Sequence, residues 1–292
     1  MMTLITSVFE QGLIYAIMAL GVYITYKILD FPDLTVDGSF PLGAAVTAVL
    51  IIKGMNPYVT LLVAALVGAL AGIITGIIHV KFKVRDLLSG IIVMTALYSV
   101  NLRIAGRANV PLFGEETIFK NEMLESVFPE GISSYKTVII VCIVMLICKL
   151  LLDFYLKTRS GYLLRAVGDN ETIVTSLAKD KGIVKIVGLS IANSLVALAG
   201  SVMCQQQRFF DVSMGTGTIV IGLASVIIGT NLFKRMTFMK ATSAVVIGAV
   251  IYKACVAIAI ACGLSATDMN MITSVLFLVI LIVSMDRKRK VK

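Results

Sequence analysis

The sequence predicts an all-α polytopic membrane protein, built as one domain over residues 1–292, with about nine spanning helices (about eight to ten). Of its 292 residues, 58% are hydrophobic and 15% are charged, and the mean hydropathy is +0.97. Apolar runs recur along the whole chain, and a spanning helix needs about 20 apolar residues. A water-soluble domain is therefore excluded, and no appended soluble module is expected.

Each predicted span is an apolar run that ends where charged or turn-forming residues interrupt it. The first run has no basic segment before it and carries Glu10 and Gln11, so we expect a retained helix and not a cleaved signal peptide. The second begins in a stretch broken by proline and glycine, and the seventh is short and interrupted by glycine and threonine. Both are therefore predicted to be broken or half helices. The spans lie near 4–27, 38–53, 57–80, 87–105, 135–156, 184–206, 216–230, 240–262 and 269–286.

The positions of lysine and arginine predict the orientation. With the C-terminus in the cytoplasm, most basic residues fall in inner loops, and an odd number of spans then places the N-terminus outside. The long acidic connection 106–134 is then extracytoplasmic. The basic inner loops explain the formal charge of +9, so no nucleic acid partner is expected.

Two polar stretches, 31–39 and 209–217, resemble each other. Each runs phenylalanine, any residue, aspartate, an aliphatic residue and a hydroxyl residue before a glycine-rich helix start. In the predicted topology they enter the membrane from opposite sides, as in inverted repeats whose broken helices line a transport path. Chance similarity over so short a stretch is the alternative.

The segment 157–183 is a polar, basic interlude between two apolar runs, and it is patterned like structure. A break at 168–170 is predicted, with Asp169 or Asn170 capping a following helix and Glu171 in its first turn. The predicted element is a short amphipathic helix at the membrane surface, suited to receive a push from another protein. An ordinary loop with one helical turn is the alternative.

Several kinds of chemistry are excluded by missing motifs. The chain has no Gly-x-x-x-x-Gly-Lys-Ser/Thr loop to hold ATP, and no Gly-x-Ser-x-Gly or His-Glu-x-x-His constellation, so no catalytic residues are expected. His79 is the only histidine, and no two cysteines have CxxC spacing. Neither a metal site nor a cofactor is therefore predicted, and the cysteines are expected to be reduced packing residues.

Charges inside the spans are few, which argues against an ion-driven carrier. Lys149 lies close enough to the inner surface to extend its ammonium group to water. Lys253 lies deeper, where a lysine costs about 2.5–3.5 kcal/mol. Two roles stay open for Lys253: a place on a substrate path, or a buried pair with a carboxylate such as Asp211.

The ordered motifs of the chain resemble those of a known family. The segment from Thr158 to Glu171 is similar to the cytoplasmic coupling segment of ATP-binding-cassette importer permeases of the branched-chain amino acid and ribose type. The stretch Asp33–Phe40, reading DLTVDGSF, is most similar to the branch associated with tryptophan- or tyrosine-type importers. Further counterparts of the family's motifs are Gly182-Ile183, Leu198–Gly200, Gly215–Gly217 and Ile228–Thr230.

The resemblance implies a type II-like importer permease fold in the cell membrane of a prokaryote. Two permease subunits, expected to be a homodimer, would form the pore, and separate ATPase subunits would bind the cytoplasmic face. A solute-binding protein would deliver substrate from outside, with the acidic connection 106–134 as a candidate docking loop. The residues carried over as ATPase-coupling contacts are Gly161, Arg165, Asp169, Asn170, Glu171 and Leu177.

The sequence thus predicts a permease subunit, not an enzyme, that moves a small solute inward by alternating access. An amino acid, aromatic first, is the expected substrate, and a nucleoside or sugar comes second. A stand-alone secondary transporter of a small polar solute is the alternative. The candidate path residues are polar positions near membrane depth, which are best tolerated facing a cavity. They are Asp33, Thr35, Asp37, Ser39, Asn193, Gln206, Asp211 and Lys253, of which Asp37 is also a candidate helix cap.

Overall fold

The structure is a computed structural model that describes residues 2–121, 135–169, 180–234, 236, 239–262 and 269–289. Ten α-helices and two short β-strands make up the regular structure of these residues. The helices are α1 (Met2–Val22), α2 (Val36–Ile52), α3 (Pro57–Lys81), α4 (Asp86–Ala105), α5 (Lys136–Tyr155), α6 (Arg159–Asp169), α7 (Lys181–Gln207), α8 (Thr218–Leu232), α9 (Ala241–Ala261) and α10 (Met269–Arg289). The strands are β1 (Asn109–Pro111) and β2 (Phe209–Asp211). A π-helical turn, Tyr23–Ile28, extends α1, and a 3-10 turn, Val212–Gly215, precedes α8.

Local sequence explains where several helices begin and end. Asn56 Oδ1 accepts a hydrogen bond of 2.9 Å from a backbone N–H in the first turn of α3, and Pro57 at the first helical position has no N–H to satisfy. Asp180 caps α7 in the same way, accepting from the Gly182 N–H at 2.8 Å. Helix α4 ends at Gly106, whose φ of 75° is a left-handed conformation that glycine tolerates.

The long helices run between two ends of the molecule, which we name the strand end and the basic end. At the strand end, β1 pairs antiparallel with β2, so that Asn109 lies opposite Asp211. At the basic end, the short turn 82–85 joins α3 to α4, and α6 packs against the end of α1. Lys157 and Lys240 lie near α6 and, together with its arginines, give this end its positive charge.

Seven helical segments are long and apolar enough to cross a membrane, judged by length and composition over the described residues. They are Ile5–Ile28, Pro57–Lys81, Asp86–Ala105, Lys136–Tyr155, Lys181–Gln207, Val212–Leu232 and Ala241–Ala261. Two further apolar helices, Val36–Ile52 and Met271–Ile282, are shorter. The predicted helical membrane fold is therefore confirmed, but the count of nine full spans is not.

Small residues let α3 and α7 pack closely. A Cβ added at Gly68 would collide with the backbone of Asn193, and one added at Gly72 would collide with the backbone of Leu189. Close backbone approach gives helices in a membrane van der Waals contact that lipid does not replace. The glycine face of α3 therefore joins two helices of the one chain.

Within the segment 157–183, the structure describes one helix, α6, at Arg159–Asp169. The predicted break is wrong at Gly168 and Asp169, because α6 continues through both residues. Gly168 lies against the backbone of Ile28, and a Cβ at this position would collide with the carbonyl oxygen of Ile28. Tertiary packing, and not a turn, therefore explains this glycine. The helix predicted after Asn170 lies outside the described residues.

Candidate functional site at the junction of two half-helices

Helices α2 and α8 begin beside each other inside the molecule and run in opposite directions. The later turns of α2 pack against β1 and β2 at the strand end. Helix α8 runs to the basic end, where Gly229 packs against the backbone of Ala244 near the start of α9. We name the place where their first turns meet the junction. The two similar stretches 31–39 and 209–217 therefore lead to one place, since Gly215 contacts Asp37 there.

Asp37 links the two half-helices. Its Oδ1 accepts hydrogen bonds from the Ile219 N–H at 2.8 Å and the Thr218 hydroxyl at 2.9 Å, and its Oδ2 accepts from the Gly217 N–H at 3.1 Å. A carboxylate at a helix N-terminus satisfies free N–H groups and interacts favourably with the helix dipole. Asp37 therefore caps α8 across the junction, and not the helix in which it stands.

A buried polar network fixes the segment that leads into α2. Asn193 of α7 donates through Nδ2 to Asp33 Oδ2 at 2.7 Å, and its Oδ1 accepts from the Ser39 hydroxyl at 2.7 Å. Asp33 Oδ1 also accepts from the Thr35 N–H at 2.9 Å. The Thr35 hydroxyl lies 2.9 Å from that of Thr75 in α3. All of these side chains are buried, and a satisfied buried network specifies one arrangement. The network therefore holds the start of α2 against α3 and α7.

A cavity of about 320 Å³ lies beside the junction, and we name it the junction cavity. Its wall combines the first turns of α2, the middle of α4 and the residues just before α8. The side chains on this wall include Asp37, Pro41, Met94, Thr95, Tyr98 and Asn101. A cavity of this size, mostly apolar with a few polar groups, is typical of a site for a small molecule.

Asn101 is the unsatisfied polar group of this wall. Its side chain is 0% exposed, and its Nδ2 donates to the Gly38 carbonyl oxygen at 3.1 Å. Because that carbonyl can only accept, the amide orientation is fixed. Asn101 Oδ1 is buried with no hydrogen-bond partner in the described part of the chain, which costs about 1–3 kcal/mol. Sequence reasoning missed Asn101, although an amide inside the apolar run 87–105 is a usable signal.

The predicted path residues fall into three groups. Asp37 lines the junction cavity, and the members of the buried network, Asp33, Thr35, Ser39 and Asn193, lie behind it. The third group lies toward the strand end and comprises Gln206, Asp211 and Lys253. Gln206 donates through Nε2 to Glu10 Oε2 at 3.1 Å, which joins the end of α7 to α1.

Lys253 lies between α9 and α1, away from Asp211. Its ammonium group donates to Gln11 Oε1 at 3.3 Å and lies 4.2 Å from the centre of the Tyr15 ring. The pairing of Lys253 with Asp211 is therefore wrong as an explanation of the buried lysine. An amide oxygen and an aromatic face compensate the charge instead, the latter by a cation–π contact.

At the basic end, α6 represents the predicted coupling segment. Gly161, Leu164 and Val167 form its buried face, and Gly161 lies so close to the end of α5 that a Cβ would collide with backbone. Arg165 and Asp169 are exposed on the other side. One face of α6 is thus packed against the rest of the molecule, and the opposite face is exposed. The remaining predicted coupling residues, Asn170, Glu171 and Leu177, lie outside the described residues.

Asp153 connects the elements around α6. It accepts hydrogen bonds from the Thr242 hydroxyl at 2.6 Å, the Lys240 ammonium at 3.1 Å and the Lys149 ammonium at 3.2 Å. Lys149, predicted to reach for water, instead pairs with a carboxylate one turn further along its own helix. Asp153 and Arg165 border an open cavity of about 570 Å³. The end of α5 and the start of α9 are therefore joined by charge, next to α6.

The described residues contain no group of three or more histidine, cysteine, aspartate or glutamate side chains placed to hold a metal ion. All five cysteines are free thiols. What the junction offers a ligand is therefore hydrogen bonding, charge and apolar contact.

Comparison with known sequences identifies the family. The family model described as "Branched-chain amino acid transport system / permease component" matches residues 4–285. The chain belongs to this permease family. The permease is also 47% identical over 277 residues to the tyrosine transport system permease protein of Clostridioides difficile, a match that covers 95% of the permease and 90% of the relative. The family resemblance found in its motifs is thereby confirmed, including the branch that carries DLTVDGSF.

More distant similarities extend over most of the permease. An uncharacterized protein of Rickettsia prowazekii is 31% identical over 282 residues, which is 95% of the permease and 96% of that protein. Among solved structures, PsaBC from Streptococcus pneumoniae in complex with Fab covers 85% of the permease and 88% of its own chain, with 12% identity and a TM-score of 0.36. Family membership and the apolar helices together make the permease a multi-pass membrane protein.

Proposed function

We propose that the permease is the membrane subunit of an ATP-binding-cassette importer that carries an amino acid, with aromatic side chains favoured, into a prokaryotic cell. A separate ATPase would drive it, and an extracytoplasmic solute-binding protein would supply the substrate. The observation that carries the proposal is the 47% identity, over 95% of the chain, to a permease named for tyrosine transport. The DLTVDGSF stretch supports the same choice, because it resembles the tryptophan- or tyrosine-type branch. Its second aspartate, Asp37, lies at the junction, where it caps α8.

The docked helix α6 supports a coupling role at the basic end. Its buried Leu164 packs against α7 beside Gly188, and α7 carries Asn193, which binds Asp33 and Ser39 at the start of α2. A push on the exposed face of α6, where Arg165 lies, would travel along α7 to the junction. In the proposed mechanism the ATPase supplies this push, and the half-helices change their relative position in response.

Substrate is proposed to pass the junction cavity. Asp37 is placed to contact it there, whereas Asp33, Thr35, Ser39 and Asn193 are proposed to support the path from behind by fixing the helix break. Gln206, Asp211 and Lys253 are proposed to act nearer the strand end. The strand end would face outward, together with the N-terminus, and the basic end would face the cytoplasm, in keeping with the distribution of basic residues.

The permease is further proposed to work as a homodimer. Large apolar side chains form an exposed stripe along α3, with Leu62 and Leu66 each 66% exposed and Leu70 57% exposed. Other helices carry similar exposed apolar stripes, so that some can face lipid while another contacts a second copy. A pore between two copies would then open toward the side of α4 that borders the junction cavity. The acidic connection 106–134 is proposed to meet the solute-binding protein.

A stand-alone secondary transporter is the second candidate. Two carboxylates inside the membrane fold, Asp33 and Asp37, favour it, because ion-driven carriers place such groups in their spans. Both carboxylates, however, accept several hydrogen bonds within the chain. Those bonds give each carboxylate a structural role that requires no coupled ion, which leaves the importer as the better supported function.

Reconstitution separates the two candidates. Proteoliposomes that contain the permease with its ATPase and binding protein are expected to accumulate labelled L-tyrosine only when ATP is supplied on the ATPase side. Arg165→Glu is expected to lower uptake by about tenfold while the permease stays folded, and the matched variant Arg165→Lys, which keeps the charge, is expected to retain most of it. Uptake by the permease alone along an ion gradient would instead establish the secondary transporter.

A further inference from the structure

The junction cavity is lined by groups that accept hydrogen bonds. Asp37 contributes a carboxylate, and Asn101 contributes a buried Oδ1 without a partner among the described residues. The Thr95 hydroxyl donates its proton to the Ile91 carbonyl oxygen at 2.8 Å, so toward any other group it acts as an acceptor. Among the described residues that line the cavity, none is a lysine, arginine or histidine. A ligand group that donates hydrogen bonds and carries positive charge therefore fits this wall.

The two helix N-termini at the junction do not supply an anion site. The first N–H groups of α8 already donate to Asp37. At the start of α2, the N–H groups of Gly38 and Ser39 donate to the Thr35 carbonyl oxygen, at 2.9 Å and 2.8 Å. The N–H groups of Gly38, Ser39, Gly217 and Ile219 thus have acceptors within the chain. A ligand carboxylate at the junction would also face the negative charge of Asp37.

The rest of the cavity wall is apolar. Pro41, Met94 and Val212 line it, and Tyr98, which is 52% exposed, places an aromatic ring at its edge. Aromatic rings and a thioether give favourable contact to the flat face of another ring. A cavity with an acceptor wall and an apolar wall matches the ammonium end and the side chain of an apolar amino acid.

We propose that the junction cavity binds the α-ammonium group of an amino acid substrate, with the Asp37 carboxylate as one acceptor and Tyr98 against the substrate side chain. The second acceptor is Asn101 Oδ1, which is buried in the wall and becomes accessible when the Asn101 side chain turns toward the cavity. The substrate carboxylate points away from Asp37, toward the opening of the cavity. This proposal rests on the proposed function and adds to it the part of the substrate that the permease itself recognises. Asn101 is thereby a specificity-determining residue. When substrate is present, its ammonium group donates a hydrogen bond to the otherwise unpaired Asn101 Oδ1.

Three ligands that share one ring distinguish the ends of the substrate. Displacement of labelled L-tyrosine from the purified full-length permease in lipid nanodiscs is measured with L-tyrosine, with tyramine, which lacks the carboxylate, and with 3-(4-hydroxyphenyl)propionate, which lacks the ammonium group. We expect L-tyrosine and tyramine to compete and the propionate to be at least about tenfold weaker, because a hydrogen bond to a charged group is worth about that much. A second series repeats the comparison without the ring, with labelled L-leucine displaced by L-leucine, 3-methylbutylamine and 4-methylpentanoate.

Two sets of variants place this preference in the junction cavity. Asn101→Leu is expected to weaken binding of both amines by about tenfold or more. Thr95 is exposed and lines the cavity, so Thr95→Lys can place a tethered ammonium group in the cavity without displacing a packed neighbour. It is expected to abolish amine binding and to let the propionate bind, whereas the uncharged control of similar length, Thr95→Met, does not reverse the preference.

Each outcome bears on the proposal separately from the transport function. If the amine binds better than the carboxylate analogue only in the leucine series, the cavity assignment is supported and the aromatic preference of the proposed function is overturned. Equal binding of the propionate and tyramine, or a ranking that Asn101→Leu and Thr95→Lys leave unchanged, overturns the cavity assignment. So does failure of both series to bind, even where the complete assembly takes up tyrosine with ATP.

Discussion

At the scale of single residues, Asp37 makes the most consequential contacts of the junction. Its carboxylate holds the first turn of α8 through three hydrogen bonds, to Gly217, Thr218 and Ile219. The sequence favours Asp37 as a helix cap, because aspartate before Gly38 is a common cap pattern. It does not reveal which helix is capped, since the partner lies some 180 residues further along the chain and is brought there by tertiary packing.

Replacing the Asp37 carboxylate tests this contact directly. Asp37→Ala is expected to lower the free energy of unfolding by about 1–2 kcal/mol, because it leaves helix N–H groups of α8 without an acceptor. Thermal and denaturant unfolding in detergent micelles measure the change. Glu116→Ala, on the exposed surface near the strand end, serves as the control and is expected to change stability by less than about 0.5 kcal/mol. Equal effects of the two substitutions would contradict the cap.

Asp211 lies outside the spans, and its titration is predictable. Burial on its own raises the pKa of its carboxyl group, but hydrogen bonds from Ser213 and Asn109 outweigh burial and hold the pKa below its ordinary value. A group with a lowered pKa stabilises the folded state above its ordinary pKa, and this stabilisation is lost as the pH falls through the lowered value. Asp211→Asn is therefore expected to melt earlier than the wild type at about pH 7, and the gap is expected to narrow as the pH falls below the ordinary aspartate pKa of about 3.9. A gap that widens in acid would contradict the assignment.

At the scale of elements, the two broken helices are what the sequence predicts best. Pro32 before α2, Gly38 in its first turn, and the run Gly215–Gly217 before α8 are local turn signals within apolar stretches, and they indicate helix breaks. The contact between the two breaks joins residues that are distant in sequence, and the similarity of the stretches 31–39 and 209–217 is its one indication in the sequence. The end of α6 shows the opposite case. Gly168 looks like a turn residue in sequence, yet it is helical because its lack of a Cβ permits contact with Ile28.

Close helix packing makes a prediction at the same scale. Gly200 of α7 lies against the Phe40 backbone in α2, and a Cβ at this position would collide with the Phe40 carbonyl oxygen. Gly200→Leu is therefore expected to destabilise the fold by at least about 2 kcal/mol, because the backbones must separate. Gly114→Leu is the matched control, since nothing lies within 4 Å of a Cβ added there. Comparable losses of thermal stability would show that α2 and α7 do not pack as described.

At the scale of the whole molecule, we propose that α7 connects a basic end that receives motion to a junction that meets substrate. Composition predicts a membrane protein, and the order of motifs predicts its family, because neither depends on which helices become neighbours. In the described part of the chain, seven helical segments are long enough to cross a membrane, and two apolar helices are shorter. Hydropathy does not separate the two kinds, because it locates helix ends only to within several residues. Asn101 and Asp153 escape prediction because their roles depend on which helices become neighbours.

Orientation in the membrane is the most direct test of the central claim, which places α6 on the side where an ATPase can reach it. Tyr162 is 60% exposed on α6, and Gly114 is exposed at the strand end. In intact cells that express a variant without native cysteines, a membrane-impermeant thiol reagent is expected to label Gly114→Cys at once and Tyr162→Cys only after permeabilisation. Labelling of Tyr162→Cys from outside intact cells would contradict the account.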